Sequence, residues 1–261
     1  MPNRLAAITG ASAGLGSVFA RKLAAQGYDL LLIARRLDRL EQLAAELSRS
    51  HGISAEPMTA DLADLEDIDR VGTRLAAEPR LSLLVNNAGF GTTGRFWQAP
   101  LAGQAAMHRV HIDATMRLSH AVLGPMTERN EGAIINVASV AGFVRSPANV
   151  SYCATKAWIN AFTEGLALEL KGTNVTVQAL CPGFTYTDFH EVMGIDRATI
   201  PSWLWMKADD VIDASLAALA TRKLFVVPGW KYKAFVAVVT KLPAALRVRM
   251  EATSPHTKTR L

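Results

Sequence analysis

Leu5-Ala6-Ala7-Ile8-Thr9-Gly10-Ala11-Ser12-Ala13-Gly14-Leu15-Gly16 opens the chain with a short apolar run and a glycine-rich turn. Val18, Phe19 and Leu23 then recur at helical spacing. Strand, glycine turn and helix in succession are the setting of a dinucleotide-binding turn. Glycines let the backbone approach a pyrophosphate, and a helix N-terminus offers unpaired N–H groups and a positive dipole end. The spacing here is Gly-x-x-x-Gly-x-Gly rather than Gly-x-Gly-x-x-Gly, so the general motif is matched loosely. Taken alone, the stretch also reads as a plain glycine-rich connector.

The next strand, Asp29 to Ala34, ends in Ala34-Arg35-Arg36, about twenty residues past the turn. An acidic residue near this point would hold the ribose 2′-hydroxyl of NAD, whereas arginine accommodates the 2′-phosphate of NADP. Ala34 is neutral and Arg35 and Arg36 follow, which favours NADP over a merely solvated start to the helix of Leu37, Leu40, Leu43 and Leu47. Residues 53–59 suit a third strand, followed by Asp61-Leu62 and a helix to Ala77. Leu81–Val85 is a fourth strand, closing on Asn86-Asn87-Ala88-Gly89. Helical spacing returns from Gln104 to Met126. Ala133–Val137 reads as a fifth strand, Tyr152 to Leu170 as a helix and Val175–Leu180 as a sixth strand, broken by Cys181-Pro182-Gly183. The alternation never pauses for a linker. The fold class is therefore α/β: a single Rossmann-type, doubly wound parallel sheet with helices on both faces.

With 261 residues, half of them hydrophobic and a fifth charged, the chain can bury a sizeable core. Its net charge of +5 is concentrated at the end: from Arg222 onward nine Lys/Arg face Glu251 alone, and residues 1–221 are slightly acidic. No basic stripe with interleaved aromatics marks the body, which argues against nucleic acid as a partner. Two cysteines, Cys153 and Cys181, give no disulfide framework and favour a reducing compartment. The apolar start is cut short by Gly10 and no run is long enough to span a membrane, so the expectation is a cytoplasmic protein. His108 and His111 share a helical face but have no third ligand, so no metal site is expected. Cys153 lacks a histidine partner and reads as packing.

Tyr152-Cys153-Ala154-Thr155-Lys156 puts a phenol and an ammonium one helical turn apart. A tyrosine with its ordinary pKa near 10 is a poor acid–base catalyst at neutral pH, and an adjacent cation is expected to pull that value down. Ser139 stands thirteen residues upstream, just past the fifth strand, where its hydroxyl can hold a substrate oxygen.

From about residue 5 to 230 the chain resembles the short-chain dehydrogenase/reductase family. The resemblance is carried by Thr9-Gly10-Ala11-Ser12-Ala13-Gly14-Leu15-Gly16, Asp61, Asn86-Asn87-Ala88-Gly89, Ser139, Tyr152-x-x-x-Lys156 and Pro182-Gly183-x-x-x-Thr187, in the family's order and spacing. It implies NADP(H)-linked hydride transfer at a carbonyl or alcohol carbon. Tyr152 would be the acid–base, Lys156 would lower its pKa and hold the nicotinamide ribose, and Ser139 would steady the substrate oxygen. Gly10, Ser12, Gly14, Leu15, Gly16, Arg35, Arg36, Asp61, Leu62, Asn87, Ala88, Gly89, Tyr152, Lys156, Pro182, Gly183, Thr185 and Thr187 would line the cofactor. Two positions depart from the pattern. His111 stands where the family usually has a catalytic asparagine, and is either a proton relay toward Lys156 or a packing residue. Ala13 stands where many NADP-preferring members have a basic residue.

Met193, Ile195, Ile200, Pro201, Trp203, Leu204, Trp205 and Met206 fall in the family's substrate-lid segment. They point to a bulky apolar carbonyl or alcohol substrate, or else to a lid folded down as ordinary core. Residues 231–261 form a basic, partly helical extension of the 1–230 domain. We expect a helix packed on the body or on a second subunit and then a frayed end, in preference to contact with anionic lipid or an acidic carrier protein. A homo-oligomer, dimer or tetramer, is implied by analogy. The competing functional readings are a catalytically silent dinucleotide-binding sensor or scaffold and, among enzymes, a 3-oxoacyl reductase.

Overall fold

Five of the strands are rich in apolar residues because helices cover them on both sides. In the computed structural model, which describes residues 4–92, 94–187 and 200–253, seven strands form one parallel sheet. They are β1 (Leu5–Thr9), β2 (Asp29–Ala34), β3 (Ala55–Thr59), β4 (Leu81–Asn86), β5 (Gly132–Val137), β6 (Val175–Leu180) and β7 (Phe225–Val226). Their spatial order is β3-β2-β1-β4-β5-β6-β7. β3 is an edge strand, which is where a strand proline such as Pro57 is tolerated. The two-residue β7 is too short to leave a periodic signal, and sequence periodicity assigns no strand there.

Helices α1 (Gly14–Ala25) and α2 (Leu37–His51) share one face of the sheet with α7 (Ala208–Ala220). There Phe19, Leu23, Leu40, Leu43, Leu47, Val211 and Ile212 pack on the strands. The opposite face is covered by α3 (Leu65–Ala76), α5 (Ala114–Glu128) and the C-terminal part of α6 (Val150–Glu169). In α3, Ile68, Val71, Gly72 and Leu75 are buried at i, i+3, i+4 and i+7, and Asp64 caps the helix by accepting from the N–H groups of Glu66 and Asp67. Between α4 (Leu101–His108) and α5 the ladder widens into a π turn, Arg109–Asp113, where sequence periodicity predicts one continuous helix. The extra residue aims His111 inward, and it is fully buried.

From β1 the chain builds outward to β2 and β3, then crosses back to place β4 on the other side of β1. The loops leaving β1 and β4 therefore part company at the sheet's C-terminal edge and open a crevice there. Past β7, α8 (Trp230–Val239) packs through Tyr232 and Val239, as the sequence predicts. A further helix, α9 (Ala244–Thr253), follows, and the frayed end expected after it lies outside the described residues. No helix among the described residues is long and apolar enough to cross a membrane.

Candidate active site

The glycine turn is closed by its neighbours. A Cβ on Gly16 would lie 2.3 Å from the Gly10 carbonyl oxygen, and one on Gly10 would lie 2.9 Å from Ala88 Cα. Gly10 and Gly14 have φ of +67° and +55°, a region that favours glycine. Thr9 organises the crossing. Its Oγ1 accepts from the N–H groups of Asn87 (2.9 Å) and Ala88 (3.0 Å), and the Asn87 side-chain amide donates to the Thr9 carbonyl at 2.8 Å. Asn87, expected at the cofactor, thus spends its amide on holding the turn.

Ala13 caps α1 without a side-chain hydrogen bond, and no acidic residue stands in the first turn. Among the described residues no side chain caps the first N–H groups of α1, which leaves them able to meet an anion at the crevice. Arg36 reaches across from β2 and donates to Ser12 Oγ at 2.9 Å. Arg35 is exposed and makes no hydrogen bond or ion pair among the described residues. Asp61 accepts from the Ala63 N–H at 3.0 Å, and Leu62 is buried beside it. An uncapped helix start, a turn with no room for side chains and an unpaired arginine at the end of β2 fit a dinucleotide carrying a 2′-phosphate.

On the other side of the crevice β5 is followed by Ser139, which caps a short 3-10 turn (Val140–Phe143) by accepting from the Ala141 N–H. The turn lies flush on α6, so that a Cβ on Gly142 would come within 2.7 Å of the Lys156 carbonyl oxygen. Tyr152 and Lys156 follow on the first two turns of α6, with Lys156 Nζ 5.8 Å from the Tyr152 ring centroid. Lys156 is buried and donates to the Val137 carbonyl at 2.8 Å.

The electrostatics correct one expectation. The sequence predicts a tyrosine acidified by its lysine. Instead burial pushes the Tyr152 phenol up to about 12, opposed in part by a hydrogen bond with Ser139. Burial also pulls Lys156 down to about 7. The cause is common to both: a site this dry penalises a phenolate and an ammonium alike, and the lysine gives its hydrogen bond to a backbone carbonyl.

His111 is resolved by its partners. Phe90 N–H donates to Nε2 at 3.3 Å, which leaves Nδ1 as the protonated nitrogen facing Thr155 Oγ1 at 2.8 Å. Thr155 in turn donates to the Tyr152 carbonyl at 3.0 Å. Burial drives the imidazole well below its ordinary pKa. Both ring nitrogens are hydrogen-bonded, as a packing histidine requires. Thr155 sits inside Tyr-x-x-x-Lys yet is absent from the sequence-predicted site; its only signal is a hydroxyl one residue before the lysine.

The loop after β6 completes the rim. Pro182 O accepts from Val140 N–H at 3.0 Å, Thr185 Oγ1 donates to Gly183 O at 3.0 Å, and Thr187 packs within 3.5 Å of where a Gly14 side chain would begin. The expected lid residues divide. Trp205 and Ile200 are buried, with Trp205 Nε1 donating to Ile200 O, while Trp203 is 59% exposed. Met193 and Ile195 lie outside the described residues. A cleft of about 390 Å³ is lined by Arg95, Phe96, Trp97, Pro147, Ala148 and Val150, the last on the first turn of α6.

Known proteins share this arrangement. A family model described as short chain dehydrogenase matches residues 4–197. Nodulation protein G of Rhizobium sp. (strain N33) is 36% identical over 185 residues, covering 70% of this chain and 74% of that protein. A short-chain dehydrogenase from Sphingobium yanoikuyae solved in complex with NADPH superposes with a TM-score of 0.84 at 34% identity, covering 93% of this chain and 97% of that one. The bulky-bulky ketone specific alcohol dehydrogenase from Comamonas testosteroni gives a TM-score of 0.80 at 29% identity, over 94% and 97% of the two chains. With the strand order, the glycine turn and the serine, tyrosine and lysine at one sheet edge, these matches establish that the chain belongs to the short-chain dehydrogenase/reductase family of oxidoreductases.

Proposed function

We propose that the protein is an NADP(H)-dependent oxidoreductase that interconverts the carbonyl and secondary alcohol of a bulky apolar substrate. The observation that carries this reading is the meeting of Ser139, Tyr152 and Lys156 opposite an uncapped glycine turn flanked by the free Arg35. NADPH, when bound, supplies the hydride. Gly10 to Gly16 would receive its pyrophosphate, Arg35 its 2′-phosphate, Asp61 and Leu62 its adenine side, and Pro182 to Thr187 its carboxamide end.

Ser139 Oγ would hold the substrate oxygen by hydrogen bonding, and the Tyr152 hydroxyl would give that oxygen its proton. A phenol raised to about 12 is protonated at neutral pH and so carries the proton that carbonyl reduction consumes. Lys156 would hold the nicotinamide ribose; its own value near 7 means that a small change in its surroundings switches its charge beside the tyrosine. Phe96, Trp97 and Val150, all at least half exposed around the cleft, would take the apolar body of the substrate. Residues 1–230 would be the catalytic core and 231–261 its extension. Assembly as a homo-oligomer and a cytoplasmic location belong to the same proposal.

The test is NADPH consumption against a panel of bulky aryl and alicyclic ketones, 3-oxoacyl thioesters and small polar carbonyls. Bulky ketones should turn over best, and Tyr152→Phe should lose activity by at least about a hundredfold. Preference for small polar carbonyls, or undiminished turnover in Tyr152→Phe, refutes the reading. NADPH binding without turnover of any panel member would favour the sensor alternative.

A further inference from the structure

Gly183 sits in the loop after β6, and one reason it has no side chain lies in the C-terminal extension. A Cβ built there would fall 2.0 Å from Cζ of Tyr232 and within 2.4 Å of both neighbouring ring carbons. Tyr232 belongs to α8, in the C-terminal extension, and is 7% exposed. Its hydroxyl accepts from the Phe184 N–H at 3.0 Å and donates to the Leu204 carbonyl at 2.7 Å. Those residues belong to two segments that pair with each other. Met206 N–H donates to Phe184 O at 2.9 Å, Tyr186 N–H donates to Met206 O at 3.0 Å, and Thr185 bridges Met206. The Tyr186 and Trp205 rings stack at 5.0 Å across the pair. One phenol therefore ties both members of this pair to α8, and α8 itself lies against the 3-10 turn that Ser139 begins.

We propose that Tyr232 is a positioning residue that fixes residues 183–187 at the crevice, making the extension part of the active site. Its ring supports the loop from below at Gly183, and its hydroxyl sets the spacing between Phe184 and Leu204. Displacement of the loop would carry Thr185 and Thr187 away from the glycine turn, where Thr187 now packs against Gly14. The consequence for catalysis rests on the function proposed above; the structural tie does not.

The experiment uses the full chain carrying Tyr232→Phe, which keeps the ring and removes both hydroxyl bonds. In the free protein, hydrogen exchange at the amides of 184–186 and 204–206 should rise about tenfold, as expected for one or two lost hydrogen bonds. Amides of β1 and β2 should be unchanged. In the enzyme assay the KM for NADPH should rise about tenfold with kcat held within about twofold, a split that a merely stabilising residue would not give. In a second series Gly183→Ala should weaken NADPH binding severely, and Gly183→Ala with Tyr232→Ala should bind better than Gly183→Ala alone because the ring that forbids the methyl group is gone. Unchanged exchange in Tyr232→Phe, or an equal rise throughout the sheet, overturns the proposal. So does a double variant no better than Gly183→Ala. If the wild type fails to bind NADPH, the enzymatic reading falls while the exchange arm still decides the role of Tyr232.

Discussion

Lys156→Met should make the free protein more stable while removing its activity. A lysine whose pKa falls from 10.5 to about 7 on folding opposes folding whenever it is protonated in the unfolded chain. At pH 7 that cost is about 4 kcal/mol, taking about 1.4 kcal/mol for each pH unit of the fall and allowing for the half-titration of the folded group. Against it stands the Nζ donation to Val137 O, worth about 1–1.5 kcal/mol, and about 1 kcal/mol for the carbonyl left unpaired. Methionine fills nearly the same volume, so little is lost in packing. The net expectation is a gain of about 2 kcal/mol, or about 4–8 °C in Tm for a chain of this size.

The sign of the pH dependence checks the cause. Between pH 7 and 10.5 the unfolded lysine still binds a proton that the folded one has shed, so wild-type stability should climb with pH across that window. Below pH 7 both states are protonated and the lysine contributes no slope. Tyr152 and Cys181 act in the opposite sense, because burial raises both to about 12 and their unfolded forms ionise first. Their effect begins only above about pH 8, near the ordinary thiol value, so pH 7–8 is the clean interval. Urea melts of wild type and Lys156→Met at pH 6, 7 and 8 give the comparison. The wild-type curve should rise between 7 and 8 relative to that of the variant. A variant less stable than wild type at pH 7, or two parallel curves, would refute burial as the origin of the lowered lysine pKa.

Arg35→Asp should raise the KM for NADPH by at least about tenfold and lower that for NADH, since it replaces a phosphate partner by a ribose-hydroxyl partner; steady-state kinetics with both cofactors test this. His111→Asn should soften the loss of stability in acid. The buried neutral imidazole titrates well below its unfolded value, so wild type loses stability as pH falls below about 6.5, and thermal melts from pH 7 to 5 should show a shallower fall in the variant. Thr155→Val leaves the His111 Nδ1–H without its acceptor and should cost about 1–3 kcal/mol in chemical denaturation. Gly16→Ala drives a methyl group against the Gly10 carbonyl, a backbone atom that cannot swing aside, and should abolish NADPH binding in fluorescence titration while melts report whether the sheet survives.

What the sequence made legible follows from distance along the chain. The strands β1, β2, β4, β5 and β6 are apolar runs buried on both faces, and α2 and α3 show their inner face every third or fourth residue, so the doubly wound sheet can be read from the chain alone. Residues separated by a turn were legible for the same reason: Tyr152 and Lys156 share a helical face whatever surrounds them. What the sequence could not carry is the effect of the surroundings themselves. An isolated Tyr-Lys pair in water would lower the phenol's pKa; the same pair under Gly142 and behind Val137 is dehydrated, and both groups move toward their neutral forms. His111 was ambiguous because its two partners come from Phe90, 21 residues before it, and Thr155, 44 residues after it. Tyr232 left no mark at all. Its partners are 48 and 28 residues away, and the clearest hint of it was Gly183, a glycine that a dinucleotide-site reading had already explained. A glycine with a sufficient local reason therefore concealed a second, non-local one. The two reasons separate only in the Gly183→Ala and Tyr232→Ala pair, where removing the ring leaves any requirement of the cofactor itself in force.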